Sequence, residues 1–311
     1  MAKRTPKEVK EREAMVKTIM KHHFGVTPRK IEFKPAGMTN FVFEAVCRKG
    51  NFIIRIGSNS RKLNDFMKEQ WAVERVREKG VPVAEILEVG NEIIPYPYML
   101  QEKRAGTDAM HHPDRKQVIY EVGQLARIIH SIPTSSFGNV FDWSKNRLSK
   151  NASWTDFLYQ EWKLSQRLAF LKRHKVLEPL QEKKLNTVIR KMEKLKYAPA
   201  LNHGDLRLKN VIIDDKGKIL ALIDWDNCIS SVAPLWDLSI ALHDLSIDSK
   251  QYFLEGYGLS AEEYQEMAPL IKAFNIVNYI PYLEDLVSRK RKTELEYYKL
   301  RLNGYFDLYK M

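Results

Sequence analysis

Three side chains in the second half of this 311-residue chain have the types and spacing that a reaction needs: Asp205, Asn210 five residues on, and Asp224 fourteen residues after that. They lie in the runs His203-Gly204-Asp205-Leu206-Arg207-Leu208-Lys209-Asn210 and Ile223-Asp224-Trp225-Asp226. Two hard oxygen ligands and a carboxylate base are the parts used in metal-assisted phosphoryl transfer. Mg2+ keeps several waters and takes one or two protein oxygens plus substrate phosphates, which is what Asn210 and Asp224 can supply. Asp205, on the preceding loop, can accept the proton of an incoming hydroxyl. Taken singly, each residue reads as a turn former, since Asp and Asn favour turns for local reasons. The spacing of all three together points to chemistry.

Elements that could position the trio are legible around it. Val211-Ile212-Ile213 and Ile219-Leu220-Ala221-Leu222-Ile223 are β-prone runs, and Asp214-Asp215-Lys216-Gly217-Lys218 between them has turn composition, so a hairpin is predicted. Antiparallel pairing brings its open ends together and sets Asn210 beside Asp224. In the first half, strands are predicted over 31–34, 40–46 and 51–56 as an antiparallel meander, followed by a helix over 63–79 and two further strands over 85–89 and 98–101. Helical spacing recurs near 114–131, 154–174, 178–196, 235–246, 261–288 and 293–309. The reading is α+β with two lobes. Residues 1–103 form an N-terminal arm and a small β-rich lobe with one main helix, residues 104–311 form a larger, mainly α-helical lobe, and the chain crosses between them near 102–106.

Composition narrows the function. With 44% hydrophobic residues the chain can bury a substantial core. Two distant cysteines, Cys47 and Cys228, suggest neither a disulfide framework nor a zinc site. A charged N-terminus and the lack of any long apolar run predict a cytoplasmic protein with no membrane partner. The net charge of +12 is uneven. Basic residues gather in the N-terminal arm and between Lys163 and Lys196 on what read as solvated faces, whereas Asp224, Asp226, Asp237, Asp244, Asp248, Glu255, Glu262, Glu263 and Glu266 are opposed only by Lys250. No basic-aromatic stripe or zinc finger accompanies the charge, so nucleic acid is not expected as a partner, and the acidic stretch is suited to a cationic small molecule.

His203-Gly204-Asp205 with Asn210, then Ile223-Asp224-Trp225-Asp226, then Trp236-Asp237-Leu238, resembles the signature of the aminoglycoside phosphotransferase and choline kinase-like family of small-molecule kinases. The resemblance extends over roughly residues 30–245. It implies a protein kinase-like fold, ATP or GTP as phosphoryl donor and Mg2+ as cofactor. Carried over residue by residue, it makes Asp205 the catalytic base and Asn210 and Asp224 the metal ligands. Arg207 stands where protein kinases carry a lysine on the transferring phosphate; a solvent-facing loop arginine is the bland alternative. Gly37-Met38-Thr39-Asn40-Phe41 resembles the nucleotide loop, with Thr39 and Asn40 at the nucleotide, although no Gly-x-Gly-x-x-Gly run is present. Arg55 takes the place of a strand lysine on the α/β-phosphates, a departure that keeps the charge. Glu69 is implied as its partner, with Glu74 as the rival. Backbone groups at Glu102 and Arg104 are implied to hold the base. His203 is expected to support the loop; Asp226 and Asp237 read equally as capping residues or as supports of the site.

The implied acceptor is a hydroxyl of a small molecule, an aminoglycoside-like amino sugar or another cationic alcohol paired with the acidic segment and with Glu284 and Asp285. Antibiotic resistance would be its purpose in the first case. Family members also act on choline-like, sugar and macrolide alcohols. A protein kinase fits less well, because His-Gly-Asp and Asp-Trp-Asp stand where His-Arg-Asp and Asp-Phe-Gly would be and no Ala-Pro-Glu follows. A nucleotide-binding pseudokinase would not be expected to retain all three residues of the trio. A monomer or weak dimer is expected.

Overall fold

The computed structural model describes residues 4–35, 40–148, 151–196, 198–243 and 245–304. The elements run α1 (Pro6–Phe24), β1 (Lys30–Lys34), β2 (Asn40–Cys47), β3 (Gly50–Gly57), α2 (Lys62–Glu78), β4 (Ile86–Gly90), β5 (Tyr98–Glu102) and β6 (Thr107–Asp108). They continue through α3 (Arg115–His130), β7 (Phe141–Asp142), β8 (Arg147–Leu148), α4 (Trp154–Asp156), α5 (Leu164–Arg173), α6 (Pro179–Met192) and β9 (Pro199–Asn202). The hairpin β10 (Val211–Ile213) and β11 (Ile219–Leu222) follows, then β12 (Ile229–Val232), α7 (Leu235–Ala241), α8 (Ile247–Tyr257), α9 (Ala261–Ser288) and α10 (Lys292–Gly304). Two compact units result: Met1–Arg115 with Leu208–Cys228, and Lys116–Arg207 with Ile229–Met311. Among the described residues no helix is long and apolar enough to cross a membrane.

The first unit is built on an antiparallel sheet of order β1-β2-β3-β5-β4. Side chains alternate across a strand, and Phe41, Phe43, Ala45, Phe52, Ile54, Ile56, Tyr98 and Leu100 share one face, on which Val16, Ile19 and Met20 of α1 pack. The opposite face carries the rung Val42–Arg55–Met99. Helix α1 was not anticipated as a helix, although Thr5 and Glu8 form a complete capping box with Pro6 behind it. Among its basic residues, Lys7, Lys10, Lys17 and Lys21 are all solvated as expected. Arg12 is the exception: it is buried, with its guanidinium 3.5 Å from the Tyr96 ring centroid.

The predicted hairpin is present in the same unit, with Val211 opposite Leu222. Asp214 Oδ1 accepts the N–H groups of Lys216 and Lys218, and Gly217 takes φ 79° to close the turn. Strand β6 pairs with β10 on its other side. Gly106, in the predicted crossing segment, lies so close to the Ile213 carbonyl that a Cβ there would sit 2.3 Å from it.

The second unit is mainly helical, with a two-stranded ladder β9–β12 that sequence periodicity did not reveal. The predicted helix over 154–174 is broken into α4, a π-helical turn at Phe157–Glu161 and α5, which starts after Lys163 in a left-handed conformation. The break lets Trp154, Phe157 and Trp162 all turn inward onto Trp236 and Phe274, with ring centroids 5.3–6.0 Å apart for Trp154–Phe157, Trp162–Trp236, Trp236–Phe274 and Trp154–Phe274. The predicted helix over 235–246 ends at Ala241, and the separate helix α8 begins with Ser246 as its N-cap. Gly123 of α3 and Gly256 of α8 face each other's helix backbone, with no room for a Cβ at either: it would lie 2.2 Å from the Phe253 carbonyl oxygen or 1.9 Å from that of Tyr120.

Candidate active site

In the first unit the hairpin does what its pattern requires. Ile223 N–H donates to the Asn210 carbonyl at 3.0 Å, so the residues flanking the two strands are neighbours. Asn210 is buried at the end of a 3-10 turn. Asp224 follows Ile223 in a left-handed backbone conformation, φ 66° and ψ 60°. Asp tolerates that region better than most residues because its short polar side chain can bond locally. Trp225, almost wholly buried, donates its indole N–H to the Leu222 carbonyl at 3.2 Å and anchors the segment that follows.

Arg55 meets this segment from β3. Its Nη1 lies 2.7 Å from Glu69 Oε2 on α2, and its Nη2 lies 3.9 Å from Asp226 Oδ2. Glu74, the rival partner, is exposed. Burial pushes the Glu69 carboxyl up to about 7; Asp226 and Asp224 push the same way, and Arg55 opposes them. Asp226 is raised for the same first reason, burial, with Asp224 adding to it. Burial disfavours the charge on Arg55, but Glu69, Asp226 and Asp224 outweigh it and its pKa is raised. Glu69 Oε1 is buried without a hydrogen-bond partner. Three carboxyl groups, those of Glu69, Asp226 and Asp224, thus act on Arg55.

A divalent cation fits the donor set of this segment. Asn210 and Asp224 offer hard oxygens on neighbouring segments, as Mg2+ prefers. Among the described residues no group of three or more His, Cys, Asp or Glu is placed to hold a metal. One residue of this unit was given no role of its own by the sequence reading. Lys68 on α2 is 2% exposed and donates from Nζ to the Asp226 carbonyl at 2.7 Å.

Other residues singled out in the first unit are spread along the sheet. Asn40 opens β2, is buried, and its carbonyl accepts from Arg4 Nη2. Thr39 and the rest of the nucleotide loop at 36–39 lie outside the described residues. In the hinge, Glu102 N–H donates to the Glu85 carbonyl at 2.9 Å, Lys103 N–H to the Asn51 carbonyl at 3.0 Å, and the Arg104 and Glu102 side chains pair at 3.3 Å. The Glu102 N–H is thus committed within the sheet.

In the second unit, Asp205 is buried and Arg207 Nε donates to its Oδ1 at 2.5 Å, so Arg207 is a partner of Asp205 although its side chain stays partly exposed. Asp205 N–H donates to His203 Nδ1 at 3.3 Å, which gives His203 the supporting place expected of it. Asp237 holds the loop. Fully buried on α7, it accepts His203 N–H at Oδ2 (2.7 Å) and Gly204 N–H at Oδ1 (2.8 Å). Trp236, one position earlier, is locked in the aromatic core, which aims Asp237 at the loop. His130 Nε2 lies 3.1 Å from Asp237 Oδ2, and the Tyr257 hydroxyl lies 3.0 Å from His130 Nδ1. Burial alone would raise the Asp237 carboxyl; His130 foremost, with His203 and the Gly204 N–H, reverses this and holds it below the usual range.

Sequence reasoning missed His130 and Tyr257. No local pattern marks them, because they reach Asp237 from α3 and α8, 107 residues away in the case of His130. The acidic segment is also more structural than expected. Asp237 is internal, Glu263 completes the capping box of α9, Glu255 accepts from Gln251, and Asp285 pairs with Arg289. Asp248, Glu262, Glu266 and Glu284 are exposed, and Asp244 lies outside the described residues.

A β-rich lobe with helices α1 and α2, a helical lobe, and a loop–hairpin run carrying Asp205, Asn210 and Asp224 define a protein kinase-like fold. The family profile described as the phosphotransferase enzyme family matches residues 30–270, and the chain belongs to that family. It is a phosphotransferase. Its fold is similar to that of a thermostable mutant of aminoglycoside phosphotransferase APH(4)-Ia solved with AMP-PNP and hygromycin B (TM-score 0.68, 16% identity, 93% of this chain and 97% of that one). It is also similar to spectinomycin phosphotransferase APH(9)-Ia in complex with ADP and spectinomycin (TM-score 0.62, 15% identity, 92% and 93%). A third similar structure is the GDP and kanamycin complex of an APH(2") enzyme (TM-score 0.68, 12% identity, 96% and 99%). No curated protein sequence matches the chain.

Proposed function

We propose that this phosphotransferase moves the γ-phosphoryl group of ATP or GTP to a hydroxyl of a small molecule, an aminoglycoside-like amino sugar or another cationic alcohol. The observation that carries the reading is the hairpin register that makes Asn210 and the segment bearing Asp224 neighbours, beside the three carboxyl groups that act on Arg55. Asn210 and Asp224 hold Mg2+, which when bound offsets charge on the phosphate oxygens. Arg55, kept charged and aimed by Glu69, faces the α/β-phosphates. Asn40 with Thr39, and the backbone at Glu102 and Arg104, hold the nucleotide.

Asp205 accepts the proton of the acceptor hydroxyl as its oxygen bonds to the γ-phosphorus, and the bond from that phosphorus to the bridging oxygen breaks, releasing ADP or GDP. Arg207, on Asp205 Oδ1, orients the carboxylate so that its other oxygen serves the hydroxyl. The cationic acceptor is supported by the amino-sugar and aminocyclitol complexes of the similar structures and by the exposed carboxylates Asp248, Glu262, Glu266 and Glu284.

A phosphate-transfer screen with ATP and with GTP, over a panel of amino sugars, amino alcohols, neutral sugars and macrolides, tests the reading. Asp205→Asn is expected to lower transfer by about 100-fold or more while nucleotide binding persists. Equal transfer by wild type and Asp205→Asn overturns the assignment, and turnover confined to neutral acceptors overturns the cationic class.

A further inference from the structure

We infer that Lys68 is a positioning residue of the metal-binding segment: its buried ammonium fixes the backbone that presents Asp224 and so couples helix α2 to binding of the magnesium nucleotide. The inference rests on the reading of Asp224 as a metal ligand given above.

Lysine is almost never fully buried unless it is paired, because removing an ammonium from water is costly. Lys68 is 2% exposed, and its hydrogen bond goes to a main-chain carbonyl, that of Asp226, at 2.7 Å. The Asp226 carboxylate adds attraction through space. A methionine could fill the same volume without the desolvation cost, so the charge and its N–H donors need a role of their own.

The backbone that Lys68 holds supplies that role. Asp224 has φ 66° and ψ 60°, and a non-glycine residue persists there only where its surroundings over-determine it. Several bonds constrain the segment: Ile223 N–H to the Asn210 carbonyl, the Trp225 indole to the Leu222 carbonyl, and Cys228 N–H to the Trp225 carbonyl. All of these lie within residues 210–228. The segment is also tied to residues outside it, by Leu222 N–H to the Pro82 carbonyl at 2.8 Å, at the end of β11, and by Lys68, which reaches the backbone beyond Asp224.

Its place on α2 extends the consequence. The next residue, Glu69, pairs with Arg55, so adjacent residues of one helix secure the strand arginine and the metal segment together.

The test compares wild type with Lys68→Met and Lys68→Gln in the full chain. One readout is the Mg2+ concentration for half-maximal binding of ATP and GTP, followed by calorimetry, with metal-free nucleotide binding measured in parallel. The other is hydrogen exchange of the Ile223 and Cys228 amides, which needs no activity. Lys68→Met is expected to raise the Mg2+ requirement by about 10-fold or more, the scale of a lost support behind a metal ligand, and to leave metal-free nucleotide affinity unchanged. It is also expected to speed exchange at both amides, with Lys68→Gln, which keeps a donor without charge, falling between. Wild-type Mg2+ dependence together with wild-type exchange in Lys68→Met overturns the inference. If Lys68→Met does not fold, the same two readouts on Lys68→Gln decide the matter. If wild type shows no Mg2+-dependent nucleotide binding, the functional reading fails, and the exchange of Ile223 and Cys228 still decides whether Lys68 holds the segment.

Discussion

The metal segment and the catalytic loop are braced by opposite chemistry. In the first unit a cation, Lys68, donates one hydrogen bond to a carbonyl of the segment it holds. In the second an anion, Asp237, accepts two backbone N–H groups of the loop and bonds to His130 as well. Both braces are charge-assisted, but a carboxylate with two oxygens can satisfy several donors at once, whereas Lys68 is seen to serve one carbonyl. The anionic brace is therefore built into the fold of its unit, whereas the cationic one is a local strut beside the Asp226 carboxyl. Stability should depend on the first, metal handling on the second.

Breaking the anionic brace gives the largest expected effect. Asp237→Asn keeps one carbonyl acceptor but turns an NH2 group toward an N–H donor in a fully buried site, and a loss of about 3–5 kcal/mol is expected in urea denaturation. Phosphate transfer should be lost with it. The contribution has a definite pH dependence. The folded-state carboxyl is held below its ordinary value, so the stabilisation is present above that value and fades as pH falls through the lowered one. Urea midpoints measured from pH 7 to pH 3 should show this acid loss in wild type and a flatter profile in Asp237→Asn. Matching profiles would mean that the carboxylate is not what holds the loop.

His130→Ala is the next smaller step. It removes the imidazole from Asp237 but leaves both loop amides bonded, with an expected cost of about 1.5–3 kcal/mol. Lys68→Met sharpens the contrast from the other side. Lys68→Met gives up one hydrogen bond to a neutral carbonyl but also relieves the cost of burying an ammonium, so its unfolding free energy should fall by about 1 kcal/mol, less than for Asp237→Asn, even as the Mg2+ requirement rises. A loss as large as that of Asp237→Asn would erase the difference between the two braces. Tyr257→Phe, at the outer end of the chain of bonds, removes one hydroxyl contact and should cost about 0.5–1.5 kcal/mol.

What was legible in the sequence follows the distance over which each contact acts. The hairpin from Asn210 to Asp224 could be read because its register is set by a five-residue turn of Asp, Lys and Gly. Strands β2 and β3 and helix α2 could be read because one face of each is buried and shows its period. Arg55 and Glu69 came from the family pattern, and the geometry joins them. Lys68 and His130 were illegible because their partners lie 158 and 107 residues away, and in sequence each looks like an ordinary polar residue of an amphipathic helix. Charge runs misled in the same way. The acidic segment after Asp224 reads as one surface, but it includes a buried loop brace, a helix cap and a local pair that periodicity does not distinguish. The break at Phe157–Lys163 was hidden too, since three aromatic residues turned inward by a π-helical turn keep roughly helical spacing.

The crossing of α3 and α8 at Gly123 and Gly256 sets a limit on how this enzyme can diverge. The two backbones touch where a methyl group would be 1.9–2.2 Å from a carbonyl oxygen, and the residue after Gly256 is Tyr257, which reaches His130. An alanine at either position has to wedge the helices apart and carry the tyrosine hydroxyl away from its imidazole. Both sites are thus closed to drift although neither glycine touches a reacting atom, and a relative that has lost one of them should have lost the tyrosine–histidine contact as well.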